Sequence, residues 1–473
     1  MMESTHNILG GMTPRIMIAG ASSGVGKTSV TLAIVVALIK RGIRVQTYKV
    51  GPDYLDPTYL TLASGKSCYN LDGWMMGRGH VLELFASTSD GADICVIEGV
   101  MGFFDGASAS SLEGSSAEIA KWLDIPTLII INAHGVGRTF GALAKGMADF
   151  EPLIPVKGFI ANFCGSERHA QLLSQTLMYS NLPDLVGAIP RESMPNIPRR
   201  HLGLVTADTE LINAGILDAL GDTAEANLRL DDIIEIAQSA GPFETPGILP
   251  RGTQTFGRGI RLGLAYDAAF HFYYRDNLDI LERSGFEIVK FSPIKDRLDL
   301  RSLDAIYFGG GYPEEFATDL SSNEAMLREV RNFAELGRPI YAECGGLMYL
   351  SKGIETLEGQ QFAMVGLLPS WTRMKSRRKA LRYVEVSLNK DSLFGSKGDI
   401  LCGHEFHYSE LTNDPLENSP WSPAYTARRK GDRGGTPEGF QKGNILISYV
   451  HAHFASRPYS VERFRQVCHE ARA

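Results

Sequence analysis

Arg15-Ile16-Met17-Ile18-Ala19-Gly20-Ala21-Ser22-Ser23-Gly24-Val25-Gly26-Lys27-Thr28 passes from an apolar, β-prone run into a glycine-rich turn, and the apolar stretch 29–40 continues it as a helix. Strand, turn and helix in that order are the parts of a P-loop. Gly24 and Gly26 let successive backbone N–H groups converge on phosphate oxygens at a helix N-terminus, Lys27 reaches the β- and γ-phosphates, and the Thr28 hydroxyl is placed to ligate Mg²⁺. Ala21 stands at the first loop position in place of the usual glycine, a variant the loop tolerates.

Outward from this loop, the runs 15–19, 44–50, 93–98, 127–131, 156–162 and 185–189 read as strands separated by helical stretches, the pattern of a parallel, helix-covered sheet. The segment 241–259 holds three prolines and five glycines with little apolar periodicity and reads as a linker. A second alternation follows at 261–265, 287–291, 305–308 and 339–342 and ends in a β-rich tail. The expected architecture is therefore α/β, with one module over 1–240, a linker over 241–259 and a different module over 260–473. No internal repeat links the two halves.

A length of 473 residues suits two hydrophobic cores, and a formal net charge of −7 without basic runs argues against nucleic acid as a partner. Apolar stretches such as 127–131 are too short to span a bilayer, and the N-terminus lacks a secretory pattern, so the cytoplasm is the expected location and no membrane partner is expected. Six cysteines without a CxxC pair suit reduced thiols.

Three further stretches bear on chemistry. Glu98 closes Ile94-Cys95-Val96-Ile97 just before Gly99, and ligands of open α/β sheets bind at the carboxyl ends of strands, so Glu98 is a candidate magnesium ligand, direct or through water. Lys49-Val50-Gly51-Pro52-Asp53-Tyr54-Leu55-Asp56-Pro57 likewise follows a strand and gathers a cation, two acids and an aromatic, although a plain turn accounts for Gly, Pro and Asp equally well. In the second half, Pro339-Ile340-Tyr341-Ala342 leads into Glu343-Cys344-Gly345-Gly346 and an apolar helical run. A cysteine on so sharp a turn faces the positive end of a helix, which is expected to lower its thiol pKa, so Cys344 is the candidate nucleophile.

Its base is expected in Ser448-Tyr449-Val450-His451-Ala452-His453-Phe454, where alternation sends both histidines to one face and either can serve. The His-x-His spacing, and that of His404-Glu405-Phe406-His407, also fits a metal site, but no third ligand clusters with either pair. Gly309-Gly310-Gly311 follows another strand and offers backbone N–H groups to an oxyanion, with Gly310, Gly311 and Gly345 as the donors; a simple turn competes with that reading.

With these stretches, and with Glu98-Gly99-Val100-Met101-Gly102-Phe103-Phe104-Asp105-Gly106, Tyr341-Ala342-Glu343-Cys344-Gly345-Gly346-Leu347-Met348-Tyr349-Leu350, Gly403-His404-Glu405-Phe406-His407-Tyr408-Ser409 and Ser448-Tyr449-Val450-His451, the chain resembles the cobyrinic acid a,c-diamide synthase family over essentially its whole length. That resemblance implies a dethiobiotin-synthetase-like P-loop domain followed by a triad-class, class I-like glutamine amidotransferase domain. It implies a carbon–nitrogen ligase of cobalamin biosynthesis that uses ATP, Mg²⁺ and glutamine to amidate the a and c acetate side chains of a corrin-type tetrapyrrole, with cobyrinate as the first candidate. Hydrogenobyrinate, nickel-sirohydrochlorin and sirohydrochlorin or siroheme are the alternative substrates.

Carried onto this chain, the resemblance makes Cys344 the nucleophile and His451 its base. It assigns Lys27, Thr28, Lys49 and Glu98 to ATP and Mg²⁺, Asp53 to the metal and the substrate, and Tyr54, Leu55, Asp56 and Asp105 to the tetrapyrrole and phosphoryl-transfer region. Asn162 falls where related ligases contact adenine. Triad glutaminases carry His-x-Glu, whereas His453 stands two residues after His451, so the third orienting group stays unidentified. A reading from another class is a P-loop regulatory ATPase with a degenerate glutaminase-like binding domain; an interaction surface has no need of Cys344 paired with His451. A homodimer is the expectation from common practice alone.

Overall fold

The computed structural model describes residues 13–195, 199–200, 203–204, 214–244, 259–297, 299–429 and 434–472. The chain divides into two compact units, Met1–Gly252 and Thr253–Ala473. Of the expected linker 241–259, residues 245–258 lie outside the described residues. Among the described residues no helix is long and apolar enough to cross a membrane.

The first unit is built on seven strands: β1 (Arg15–Gly20), β2 (Val45–Val50), β3 (Tyr69–Leu71), β4 (Ile94–Glu98), β5 (Thr127–Asn132), β6 (Val156–Cys164) and β7 (Leu185–Pro190). They lie in the order β3-β2-β4-β1-β5-β6-β7 with every pairing parallel. All six residues of β1 are buried, as a strand covered by helices on both faces requires. Helix α1 (Lys27–Lys40) is apolar around most of its circumference, and it is buried from Val30 through Leu38 because the sheet lies on one side and helix Ala214–Asn227 on the other. Each such aliphatic side chain contributes about 1.5–3 kcal/mol by leaving water. The sequence reading misses β3, an edge strand of three residues too short to show a period.

Because all seven strands run the same way, the turns after β2, β4 and β1 open at one end of three adjacent strands. Lys49 and Glu98 are partners in register across β2 and β4, and Ile18 pairs with Glu98 across β1 and β4. The loop 49–57 is less irregular than its glycine and prolines suggest, since helix α2 (Asp56–Ser64) begins inside it with a proline in its first turn.

The second unit carries a ten-stranded sheet. Phe286–Phe291, Ile260–Ala265, Ala305–Phe308, Ile340–Glu343 and Ile445–Ser448 pair in that order as parallel neighbours. The order continues antiparallel through Thr436–Lys442, Ser422–Arg428, Ala380–Leu388, Ile400–His407 and Val450–Ala452. Strands Ile445–Ser448 and Val450–Ala452 are separated by Tyr449 alone, yet one lies mid-sheet and the other at its far edge. The antiparallel half must therefore curl until its last strand returns to the chain that began it, which delivers Val450–Ala452 to the end of Ile340–Glu343. Apolar clusters pack on both faces of this sheet, and a four-stranded sheet made of Gln361–Ala363, Ser351–Glu355, Leu368–Met374 and Ser409–Leu411 adds a further layer.

Gly403 is the close approach in that closure, since a Cβ there would overlap the His451 carbonyl oxygen. Gly403→Ala is expected to destabilise the second unit by about 1–3 kcal/mol, as overpacking against backbone does. A thermal melt of the full chain should show the loss, and an unchanged melt would contradict this strand pairing.

Candidate active sites

In the first unit the P-loop takes the conformation its glycines permit. Gly24 and Gly26 have φ of 78° and 92°, in the left-handed region where a side chain is strained. The Lys27 ammonium donates to the carbonyls of Ser22 (3.1 Å) and Met101 (2.5 Å), so it lies over the loop, and burial followed by the nearby Lys49 pulls it below the ordinary lysine range. Thr28 donates its hydroxyl to Glu98 Oε1 at 2.8 Å.

Behind the loop sits a buried charge cluster. Lys49 Nζ lies 2.6 Å from Asp56 Oδ2 and 2.8 Å from Glu98 Oε1, and it also donates to the Gly99 carbonyl at 3.2 Å. Burial pulls the Lys49 ammonium down, but Asp56 and Glu98 outweigh it and raise this ammonium above its usual range. Burial likewise pushes the Asp56 carboxyl up, and Lys49 overrides that to hold it low. Glu98 is raised to about 8, burial prevailing over the pull of Lys49. Its second oxygen, Oε2, is buried without a hydrogen-bond partner among the described residues. A carboxylate oxygen left open beside the Thr28 hydroxyl is the chemistry a hard cation selects, so these two residues fit Mg²⁺.

Asp53 does something more local. Its Oδ1 accepts from the N–H groups of Leu55 (2.8 Å) and Asp56 (3.0 Å) and so sets the turn that opens α2; burial and then Asp56 raise its carboxyl to about 6. Tyr54 is buried in the same turn and Leu55 is half-buried. Asp105 is exposed, accepts from Gly102 N–H at 2.9 Å, and lies within electrostatic reach of Lys27. Asn162 donates to the Val25 carbonyl (2.8 Å) and accepts from Phe163 N–H (2.9 Å), and it fills the space a Cβ at Gly26 would need. It therefore props the P-loop from behind.

In the second unit Cys344 follows strand Ile340–Glu343 and caps the helix Gly345–Leu350 with φ 47° and ψ −99°, a strained conformation for a residue with a side chain. Such a turn between strand and helix lifts a nucleophile out of the sheet. The Cys344 N–H donates to the Ser448 carbonyl at 2.8 Å, and the thiol lies 3.6 Å from the Phe406 carbonyl. One expectation is corrected here. Burial, followed by the charge of Glu314, pushes the Cys344 thiol up, and the Gly345 N–H at the helix end pulls it down by less. A six-residue helix is too short to supply the field expected of it. The resting group is a thiol and needs a base.

His451 approaches the turn after Cys344 across Gly310. A Cβ on Gly310 would stand 2.5 Å from His451 Cε1 and 3.3 Å from Nε2, while a Cβ on Gly345 would stand 3.0 Å from Gly311 N. The imidazole, the three-glycine turn and the turn after Cys344 thus meet at Gly310, with the Gly311 N–H beside Gly345. On its other side His451 Nδ1 lies 3.6 Å from Glu343 Oε2. His453 turns elsewhere, 3.8 Å from Asp276 and against the ring of Tyr274.

His404 stacks on His451 with ring centres 5.1 Å apart, and Tyr274 hydroxyl bonds its Nδ1 at 2.9 Å. Burial, then His451, hold His404 well below the usual imidazole range, so it stays neutral. His407 stacks instead on Tyr449. Among the described residues no group of three or more His, Cys, Asp or Glu is arranged to hold a metal ion. Sequence reasoning did not find Glu343 as a neighbour of His451. It sits beside Cys344 in the chain, and only the strand pairing brings it to the histidine.

Residues 16–205 match the family described as CobQ/CobB/MinD/ParA nucleotide binding domain, and residues 261–459 match the CobB/CobQ-like glutamine amidotransferase domain. The chain is 49% identical to the cobyrinate a,c-diamide synthase of Syntrophotalea carbinolica, over 96% of this chain and 98% of that protein. The chain belongs to the cobyrinate a,c-diamide synthase family. Other synthases of that name are similar at 45% identity in Leptospira interrogans serovar copenhageni and 37% in Priestia megaterium, over 96% and 97% of this chain and 98% of each relative. Both active-site geometries thus lie inside the matched domains of one synthase-family chain.

Lys49→Met would leave Asp56 and Glu98 buried without their cation, a change that costs about 3–5 kcal/mol. Protonation relieves a buried carboxylate, so the loss should be largest near pH 8.5 and shrink toward pH 5.5. Urea unfolding followed at both pH values checks this, and a loss that grows toward acid would contradict the charge assignment.

Proposed function

We propose that this protein is a glutamine-hydrolysing ligase that converts the a and c acetate carboxylates of cobyrinate into carboxamides with ATP. The observation that supports this most is a single chain in which His451 and the turn after Cys344 both lie against Gly310 in one unit while Lys27, Thr28 and Glu98 gather at a P-loop in the other. Its relatives, similar over nearly the whole chain, bear the name of that reaction. A regulatory ATPase would use only the second of these sites.

Cys344 Sγ attacks the side-chain carbonyl carbon of glutamine while His451 takes the thiol proton. N–H groups of Gly311 and Gly345 face the oxyanion that develops. Collapse of that adduct releases ammonia, which receives its proton from His451, and water then cleaves the thioester to glutamate. The buried, protonated thiol keeps the nucleophile quiet until substrate and base act on it together.

A free carboxylate resists ammonia because its oxygen is a poor leaving group. Transfer of the γ-phosphoryl of ATP to the acetate oxygen gives an acyl phosphate, whose carbon accepts ammonia and loses phosphate. Lys27 and the loop N–H groups hold the phosphates in line for that transfer. Glu98 Oε2 and the Thr28 hydroxyl would hold Mg²⁺, which when bound supplies positive charge to the phosphate oxygens. Lys49 keeps Glu98 and Asp56 in place, and Asp53 fixes the turn that presents Tyr54 and Leu55 to the substrate region. Asp105, exposed and near Lys27, faces the same region. One P-loop and one nucleophile serve two acetates in succession. A reaction fed by ATP and glutamine belongs in the cytoplasm.

The two chemistries come apart by mutation. Cys344→Ala should lose glutamine-dependent amidation of cobyrinate yet form diamide when ammonium is supplied at mildly alkaline pH, where more ammonia is unprotonated; Lys27→Ala should lose both. Mass spectrometry of products from cobyrinate and from sirohydrochlorin checks the roles and the substrate together. Glutamine use by Cys344→Ala would remove the nucleophile assigned here, and amide on sirohydrochlorin alone would remove cobyrinate.

A further inference from the structure

Cys–His glutamine hydrolysis needs its imidazole held with one nitrogen free, and the acid expected two residues after the base is absent, since that position is His453. We propose that Glu343, the residue immediately before the nucleophile, is the carboxylate that orients His451. This rests on the glutaminase reading of Cys344 and His451 given above.

The geometry is specific. Glu343 is the last residue of strand Ile340–Glu343 and is 2% exposed. Side chains two apart on a strand share a face, so Tyr341 and Glu343 lie together, and the Tyr341 hydroxyl donates to Glu343 Oε1. The Ala452 N–H donates to the same oxygen at 3.1 Å, and the Tyr307 hydroxyl donates to Oε2 at 2.7 Å. Three donors from three strands thus fix both oxygens, leaving Oε2 3.6 Å from His451 Nδ1. All three are neutral, so the positive charge that balances the carboxylate arises on His451 when it takes the thiol proton. A carboxylate at Nδ1 keeps a proton on that nitrogen and leaves the lone pair on Nε2, which lies on the Gly310 side. The curled sheet makes this possible, because Ala452 N–H and His451 reach Glu343 only when Val450–Ala452 returns to the end of the parallel half.

A purely structural Glu343 would tie Tyr307, Tyr341 and Ala452 together without acting on His451. The two roles differ in the pH profile of glutamine hydrolysis. His451 is faced by Glu343, by the stacked His404, by His407 and, across Gly310, by the Cys344 turn. Burial keeps His404 and His407 below the usual imidazole range.

Glu343→Gln removes the anion that stabilises the imidazolium. Its glutamine kcat should fall by about 10²–10⁴-fold, the scale of losing an orienting carboxylate, with KM for glutamine little changed and the acid limb displaced to lower pH. Tyr307→Phe removes one neutral donor, concentrates charge on Oε2, and should displace the limb to higher pH; it carries the test should Glu343→Gln fail to fold. Cys344→Ala, measured alongside, separates the two readings. Glutamine hydrolysis by Cys344→Ala would sink the glutaminase assignment itself. Loss of hydrolysis in Cys344→Ala together with near-normal hydrolysis in Glu343→Gln, or an acid limb unmoved in Tyr307→Phe, would overturn the role of Glu343 alone.

Discussion

A buried carboxylate ends a parallel strand in each unit, Glu98 in one and Glu343 in the other, and neither can stay in the interior without donors aimed at it. An uncompensated charge there costs several kcal/mol. The two units meet that constraint differently. Glu98 is met by a full ammonium, Lys49, and by the Thr28 hydroxyl, with its second oxygen buried without a hydrogen-bond partner among the described residues. Glu343 is met by two phenols and a peptide N–H, and His451 Nδ1 lies 3.6 Å from its Oε2. The first arrangement suits a standing cation site. The second suits a proton that comes and goes.

Parallel strands make both arrangements available, because they bring several carboxyl ends to the same edge. In the first unit the ends of β2, β4 and β1 lie side by side, so a lysine, a glutamate and a P-loop converge although dozens of residues separate them in the chain. In the second unit the parallel half presents Glu343 and Cys344, and the curled antiparallel half returns His451 to them. Single atoms of space decide both places. Asn162 fits against Gly26, and His451 fits against Gly310, because neither glycine has a Cβ.

Much of this was legible in the sequence because it is local. The P-loop, the strand that precedes it, the turn around Cys344 and most parallel strands of both sheets each declare themselves within a dozen residues, through short apolar runs and glycine placement. What the sequence hid depends on pairing between distant strands. A His-x-His spacing does not show that His451 lies between Glu343 and Gly310 while His453 lies against Asp276 and Tyr274. No acid stands two residues after His451, and the carboxylate that lies 3.6 Å from its Nδ1 is Glu343, just before the cysteine. The thiol was expected to be acidified by a helix end, but burial outweighs a six-residue helix. Asp53, read as a ligand, spends one oxygen on the first N–H groups of α2.

The central claim is that nitrogen freed at Cys344 is the nitrogen that enters the macrocycle after ATP activates its carboxylate. Cobyrinate incubated with ATP, Mg²⁺ and glutamine labelled with ¹⁵N at the side-chain amide, in unlabelled ammonium at low concentration, tests it most directly. Mass spectrometry of the product should show both new amides carrying ¹⁵N, with one ADP formed for each. Amides that carry unlabelled nitrogen, or that form without ADP, would contradict the account.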